Sequence, residues 1–315
     1  MKHLTSIALL ACAIGVGSSF FTACNNAQPS AGTEADTALP GFFEVGHRGT
    51  RGLMPENTIP AMTKGLEAGA NTIEFDVHIT KDSQVVVYHD ASLTPSYTTM
   101  PDGSDIPEEE RSKYTLYQMN YDSIRRFIIG EKAYPAYPEQ QQVRTYAPLL
   151  SELVDSVEAY TAAHGLPPAY YLLEIKSSAK TDGEQQPAPE EYMRILMGVK
   201  ELQPLGDRLL IQSFDMRPLQ VLHRTHPHIK LGFLTGDKNT TFEQHLEQLG
   251  FTPFFYNPQY QLVTPELISK CHERQIKIVP WTVQETSEME KLQAMGVDGI
   301  ITDYPDRLEE VRSRK

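Results

Sequence analysis

The chain has 315 residues, of which 40% are hydrophobic and 22% charged, a globular balance that excludes a disordered chain or a multi-span membrane protein. A formal net charge of −13 leaves no surplus of Lys and Arg to neutralise nucleic-acid phosphates, so a nucleic-acid binder is excluded. An acidic protein still binds a phosphate ester when a divalent cation lies between them.

The chain opens with Met1-Lys2-His3, an apolar run from Ile7 to Phe21, and Thr22-Ala23-Cys24. This is the layout of a secretory signal, predicted to span residues 1–23. A Cys directly after a small residue resembles a lipoprotein cleavage site, so Cys24 is expected to carry lipid, with Phe21 standing where such sites prefer Leu. Residues 24–41 are rich in Asn, Gln, Ser, Thr, Ala, Gly and Pro, the composition of a flexible tether. The expected address is therefore a bacterial cell envelope, reached by export and held through an N-terminal lipid anchor. Cys12 leaves with the leader, which excludes a disulfide framework, and Cys271 falls in a helical pattern as a packing residue.

From residue 42 to the end, eight short apolar runs alternate with amphipathic stretches. The runs are Phe42–Gly46, Thr72–Val77, Tyr170–Ile175, Arg208–Gln212, Lys230–Leu234, Thr252–Tyr256, Ile276–Trp281 and Val297–Ile301. From Leu210 onward they recur about every 21–24 residues, the beat of βα units. Helices are predicted at Arg217–Arg224, Thr241–Leu249, Pro265–Gln275 and Ser287–Met295, two of them stopping at Gly250 and Gly296. Eight strands alternating with helices predict a closed TIM-type (β/α)8 barrel, and no Gly-rich nucleotide loop follows the first strand. Val85–Asp90 follows the second strand after only Lys81-Asp82-Ser83-Gln84, too short for a parallel crossover, so an antiparallel hairpin arm is expected. Residues from about 91 to 146 then read as an insertion over the barrel mouth, with one helix near Leu116–Phe127.

Active sites of such barrels sit at the C-terminal ends of the strands, where this chain collects its polar residues. His47-Arg48-Gly49 ends the first strand; Glu74 and Asp76, two apart and on one face, are placed at the end of the second. His89-Asp90 ends the arm, Glu174 and Lys176 end the third strand, and Gln212 and Trp281 hold matching places later. Any one of these alone reads more readily as a solvated cap or a hydrogen-bonded structural residue. Three converging carboxylates repel unless they are protonated or metal-bound, and oxygen-only ligands suit Ca²⁺ or Mg²⁺. Two histidines can then act as general base and general acid, while Arg48 and Lys176 hold an anionic phosphate.

His47-Arg48-Gly49 with Pro55-Glu56-Asn57-Thr58, Glu74-x-Asp76-Val77, His89-Asp90, Leu173-Glu174-Ile175-Lys176, Gln212-Ser213-Phe214, Trp281-Thr282-Val283 and Thr302-Asp303-Tyr304-Pro305 resemble the glycerophosphodiester phosphodiesterase family, in its order, from about Val45 to Pro305. The resemblance implies Glu74, Asp76 and Glu174 as ligands of a divalent cation, Ca²⁺ or Mg²⁺. It implies His47 and His89 as the acid/base pair, Arg48 and Lys176 on the phosphate, and Trp281 against the alcohol. The expected reaction is hydrolysis of a glycerophosphodiester to sn-glycerol 3-phosphate and an alcohol, with the glycerol 2-hydroxyl or water as nucleophile. A phospholipase-like enzyme on lyso or intact lipids, a glycosidase using paired carboxylates, and a lipoprotein that captures head groups without cleaving them stand as alternatives. Lesser expectations are capping of the first helix by Asn57 or Thr58, a supporting role for His78, a loop-anchoring rather than reactive Asp303, and surface positions for His223, His226 and His228. Lys81–Gln84 replaces the Gly-containing turn common in that family.

Overall fold

A computed structural model describes residues 39–314; the proposed leader, Cys24 and most of the tether lie outside the described residues. Eight parallel strands form the barrel: β1 (Phe43–Gly46), β2 (Thr72–Ile79), β6 (Tyr170–Ile175), β7 (Leu209–Ser213), β8 (Lys230–Thr235), β9 (Phe255–Pro258), β10 (Lys277–Ile278) and β11 (Gly299–Thr302). They neighbour one another in the order β10-β9-β8-β7-β6-β2-β1-β11. The seam between the two ends of this order, β10 and β11, is bridged by backbone hydrogen bonds from Asp298 N to Ile278 O (2.9 Å), Ile301 N to Pro280 O (2.9 Å) and Val283 N to Ile301 O (3.0 Å).

Alternation along each strand divides the apolar residues into two cores. Phe43, Val45, Tyr170, Leu172, Leu210, Phe255, Val279 and Ile301 pack inside the barrel. Ile73, Phe75, Val77, Tyr171, Leu173, Ile175, Leu209, Ile211, Leu231 and Phe233 face the surrounding helices. Because Phe75 and Val77 point outward, Glu74, Asp76 and His78 must point inward. The helices are α1 (Ile59–Glu67), α3 (Leu150–His164), α4 (Pro189–Leu196), α5 (Met216–Thr225), α6 (Phe242–Leu249), α7 (Pro265–Glu273), α8 (Thr286–Met295) and α9 (Pro305–Ser313). Gly250 and Gly296 end α6 and α8 in the left-handed conformation. Cys271 is fully buried in the core, and His223 and His228 lie on the surface.

Three element predictions need correction. The β2 strand runs on to Ile79, because Val77, His78 and Ile79 pair antiparallel with β3 (Val85–Val87); Glu74 and Asp76 are therefore inside the strand, not at its end. In the connecting turn, Ser83 takes the left-handed φ of +57° that glycine adopts more easily. The sixth run starts late, at Phe255, since Pro253 has no N–H to give to a ladder. The helix expected over Leu116–Phe127 is broken into a 3₁₀ turn (Leu116–Gln118) and one turn, α2 (Tyr121–Ile124). Its centre is taken by the hairpin arm: Lys81 N donates to Met119 O (3.0 Å), and Asp82 accepts from Tyr121 N (3.0 Å). The insertion also carries the small pair β4 (Thr98–Thr99) and β5 (Ile128–Ile129). It has its own cluster around Tyr88, Leu93, Leu116, Ile124 and Phe127.

Candidate active site

The inward register of β2 and β6 brings Asp76 opposite Glu174, and that of β6 and β7 brings Glu174 opposite Gln212. Glu74, Asp76 and Glu174 are buried and offer one oxygen each within 4.8 Å of one another. Their orientations are set from behind. The Arg48 backbone N–H donates to Glu74 Oε2 (2.8 Å), and Asn57 Nδ2 donates to Asp76 Oδ2 (2.8 Å) while accepting from Asp76 N (3.1 Å). Trp281 Nε1 donates to Asn257 O (2.9 Å), Asn257 Nδ2 to Gln212 Oε1 (2.7 Å), and Gln212 Nε2 reaches Glu74 at 3.5 Å.

The electrostatics test whether these acids suit a cation. Lys176 Nζ lies 3.0 Å from Asp76 and 2.5 Å from Glu174. Those contacts fall on Asp76 Oδ1 and Glu174 Oε1, two buried oxygens with no other donor. Burial, with the charges of Asp76 and Glu174, pushes the Glu74 carboxyl well above the usual range. Burial also opposes ionisation of Asp76, but Lys176, His89 and Arg48 outweigh it and hold that carboxyl low. Three buried acids thus share one ammonium, with Arg48 Nε a further 3.5 Å from Asp76. The donor set fits a hard divalent cation.

His47 leaves β1 on a loop whose turn places Arg48 (φ +51°) and Asn57 (φ +57°) in left-handed geometry. Glycines let this loop close on the first helix: a Cβ at Gly49 would lie 2.6 Å from the Ala61 backbone. Thr58, not Asn57, caps α1 by accepting from Ala61 N (3.3 Å), which leaves Asn57 for Asp76. Arg48 Nη1 pairs with Glu56 at 2.6 Å, and its Nε lies 3.5 Å from Asp76. His47 Nδ1 contacts Asp303 at 2.6 Å, and burial, exceeding the pull of that carboxylate, lowers the imidazole to about 4. His89 Nδ1 contacts Asp90 at 2.7 Å, while His78 Nε2 bonds the His89 carbonyl at 2.9 Å.

His47, Arg48, Glu74, His89, Glu174, Lys176 and Trp281 line one cavity of about 260 Å³, joined by Arg51, Gln212, Phe214 and Leu234. A larger surface groove, about 410 Å³ and lined by Ser83, Leu149, Arg194 and Lys200, holds no comparable set of acids and histidines. The cavity wall beyond the acids is apolar, with Phe214 edge-on to Trp281 at 5.4 Å.

Residues 47–307 match the model of the glycerophosphoryl diester phosphodiesterase family. The chain belongs to that family. A glycerophosphodiester phosphodiesterase of Bacillus altitudinis is 30% identical over 266 residues, 84% of this chain and 96% of its own. A Silicibacter pomeroyi structure assigned as a glycerophosphoryl diester phosphodiesterase superposes with a TM-score of 0.77 at 28% identity, covering 88% of this chain and 95% of its own. The fold alone is shared with an Oleispira antarctica phosphodiesterase solved with the product sn-glycerol 3-phosphate, at TM-score 0.66 and 21% identity over 85% of this chain and 96% of its own. Hydrolysis of glycerophosphodiesters is the activity of the family to which the chain belongs.

Arg51 and Asn257 escape sequence reasoning, and Asp303 and Phe214, named only within motifs, take places it did not give them. The Asp303 carbonyl accepts from Gly52 N (3.0 Å) in the loop after β1, and its carboxylate is turned onto His47 and Arg51. Arg51 reaches the cavity because the loop folds back after Gly49, which no periodicity announces. Asn257 becomes visible only once the sixth strand is shifted to start at Phe255. Phe214, 45% exposed, is the one exposed large apolar side chain among the described residues.

Proposed function

We propose that this protein hydrolyses glycerophosphodiesters to sn-glycerol 3-phosphate and an alcohol, with Ca²⁺ or Mg²⁺ held by Glu74, Asp76 and Glu174. The observation that carries this reading is the buried carboxylate triad sharing one cavity with His47, His89, Arg48 and Lys176. A divalent cation bound there supplies electrostatic stabilisation of charge on the phosphoryl oxygens. Arg48 and Lys176 bind the same anion from the protein side. His47, held neutral by burial, takes the proton of the nucleophile through its free Nε2, and His89 gives a proton to the leaving alkoxide. Trp281 receives the alcohol. The product carried by the Oleispira antarctica relative supports the choice of sn-glycerol 3-phosphate. The nucleophile is the glycerol 2-hydroxyl or water, and turnover of a substrate lacking that hydroxyl separates the two.

Phe214, exposed beside Trp281, favours a second reading in which the alcohol is bulky and apolar, as in a lysolipid. Our proposal extends to the domain plan: a signal over 1–23, lipid on Cys24, a tether to residue 41, the barrel over 42–315 and an envelope location. The test is release of sn-glycerol 3-phosphate from glycerophosphocholine, glycerophosphoethanolamine and glycerophosphoglycerol in EDTA, then with Ca²⁺ or Mg²⁺ restored, beside His47→Ala and a lysolipid. Metal-restored release that the variant lacks is expected. Release from the lysolipid alone would move the reading to lipids, and no release from any substrate would end it.

A further inference from the structure

Both cavity histidines are held through Nδ1 by an aspartate, and each aspartate is held in turn by an arginine. For His47 the line runs through Asp303 to Arg51, whose Nε and Nη2 lie 3.1 and 2.9 Å from that carboxylate. Its members are buried or nearly so, and Tyr137 stacks on the Arg51 guanidinium at 4.6 Å. For His89 the line runs through Asp90 Oδ1 (2.7 Å), and from Asp90 Oδ2 to Arg111 Nη2 (2.7 Å). Thr94 Oγ1 donates to the same Asp90 oxygen.

The second line differs in what holds it. Arg111 comes from the insertion, on a 3₁₀ segment (Glu108–Tyr114) that buries no residue. The side chains of His89, Asp90 and Arg111 are 29%, 28% and 37% exposed, so no core packing fixes their geometry. Neighbouring backbone bonds, Leu93 N to Tyr114 O (3.0 Å) and Leu116 N to Ala91 O (2.9 Å), bring the segment to the arm but do not orient the imidazole. Asp90 could swing to solvent about its side-chain torsions. Arg111 and Thr94 occupy one of its oxygens and leave the other facing His89 Nδ1. Burial alone would raise this carboxyl, but hydrogen bonds from His89 and Thr94 and the charge of Arg111 keep it well below the usual range, hence an ionised acceptor. An ionised acceptor keeps a proton on Nδ1 and turns Nε2 to the cavity, so the doubly protonated ring gives its Nε2 proton to the leaving group and is left as the Nδ1–H tautomer.

We propose that Arg111 is a positioning residue for His89, acting through Asp90, so that the insertion completes the catalytic geometry instead of only covering the barrel mouth. The inference rests on the acid/base role given to His89 above. A plain surface ion pair contributes little to stability and nothing to turnover, which makes the two cases separable.

The test uses the full chain with Arg111→Ala, Arg111→Lys, Asp90→Asn and the Arg111→Ala/Asp90→Asn pair. Expected for Arg111→Ala are a kcat lower by about tenfold, a KM within about twofold, and partial recovery in Arg111→Lys. Its melting temperature should stay within about 2 °C of wild type. In the Asp90→Asn background the same change should add less than about twofold, because both act on one imidazole. With ¹⁵N-histidine labelling, and His89 assigned by loss of its signals in His89→Gln, the Nδ1–H tautomer should dominate in wild type and lose ground in Arg111→Ala. An unchanged kcat, a full multiplicative loss on top of Asp90→Asn, or an unchanged nitrogen spectrum would each overturn the proposal. The nitrogen measurement needs no substrate. A wild-type protein without turnover would therefore sink the functional reading while the tautomer comparison still decided the role of Arg111.

Discussion

Asp303→Asn isolates what a buried charge does in this site. The Asp303 side chain is fully buried and takes hydrogen bonds from His47 Nδ1, from two Arg51 nitrogens and from Gln284. Asparagine has the same shape but one acceptor oxygen, and its amide must face a donor it cannot satisfy. Arg51, whose side chain is 14% exposed, then keeps only the looser Glu56 carboxylate, 3.8 Å from its Nη1. Loss of one partner of a buried pair costs about 3–5 kcal/mol, and partial solvent access at Arg51 places this case near the lower end, about 3 kcal/mol. For a domain of this size that lowers Tm by roughly 5 °C. The same change frees His47 to take either tautomer or to turn, so general base catalysis falls by about 10²–10⁴-fold in kcat. Thermal melting by circular dichroism and single-turnover release of sn-glycerol 3-phosphate measure the two effects separately. A Tm that drops as expected with kcat within threefold of wild type would refute the orientation argument and leave Asp303 as a loop anchor alone.

Acid should destabilise the protein through His47. Burial lowers its imidazole from the ordinary 6.5 to about 4, so the unfolded chain takes up the proton first as pH falls through 6.5. Stability from this group is complete above 6.5 and lost by about pH 4, up to roughly 3 kcal/mol; urea midpoints at pH 7.5 and 4.5 should differ less in His47→Gln than in wild type. Since the Glu74 carboxyl is already pushed up by burial and its acidic neighbours, Glu74→Gln should melt no lower than wild type in EDTA. It should also miss the Tm gain that saturating Ca²⁺ or Mg²⁺ gives wild type, about 2.7 kcal/mol at a hundred times Kd; an equal gain in both proteins would remove Glu74 from the ligand set. Gly65→Ala, in helix α1, ordinarily stabilises by nearly 1 kcal/mol, but here the new Cβ would lie 2.4 Å from Gly49 O. A loss of about 1–3 kcal/mol is expected instead, and a gain would mean the His47 loop yields freely.

The barrel was legible because its two signals are local. Apolar runs of strand length recur at a fixed spacing, and Glu74 and Asp76, two apart among apolar residues, report their shared face without any tertiary knowledge. The insertion was not legible for a physical reason. Its helix prediction at Leu116–Phe127 followed intrinsic preference, whereas Met119 and Tyr121 give their backbone groups to the β2–β3 turn, a contact some 38 residues away in sequence. The shifted sixth strand hid Asn257 in the same way: one proline moved the ladder, and with it the side chain that supports Gln212.

The supports of the histidines show where sequence reasoning stops. Which residues touch a phosphate can be inferred from charge and strand position, since any chemistry on that ester needs cations and a base. Which residue holds the base depends on loops arriving from elsewhere. Asp303 comes from the strand that closes the barrel against β1, so its meeting with His47 follows from closure: Gly46 is paired with Thr302, and the next residue of each strand continues into the cavity. Arg111 has no such guarantee, because the insertion is not part of the barrel and its 3₁₀ segment buries nothing. Closure of the sheet thus fixes one histidine by topology. The other depends on an ion pair between partly exposed side chains, which leaves the geometry of the second proton transfer open to change by substitutions in the insertion that never touch the barrel.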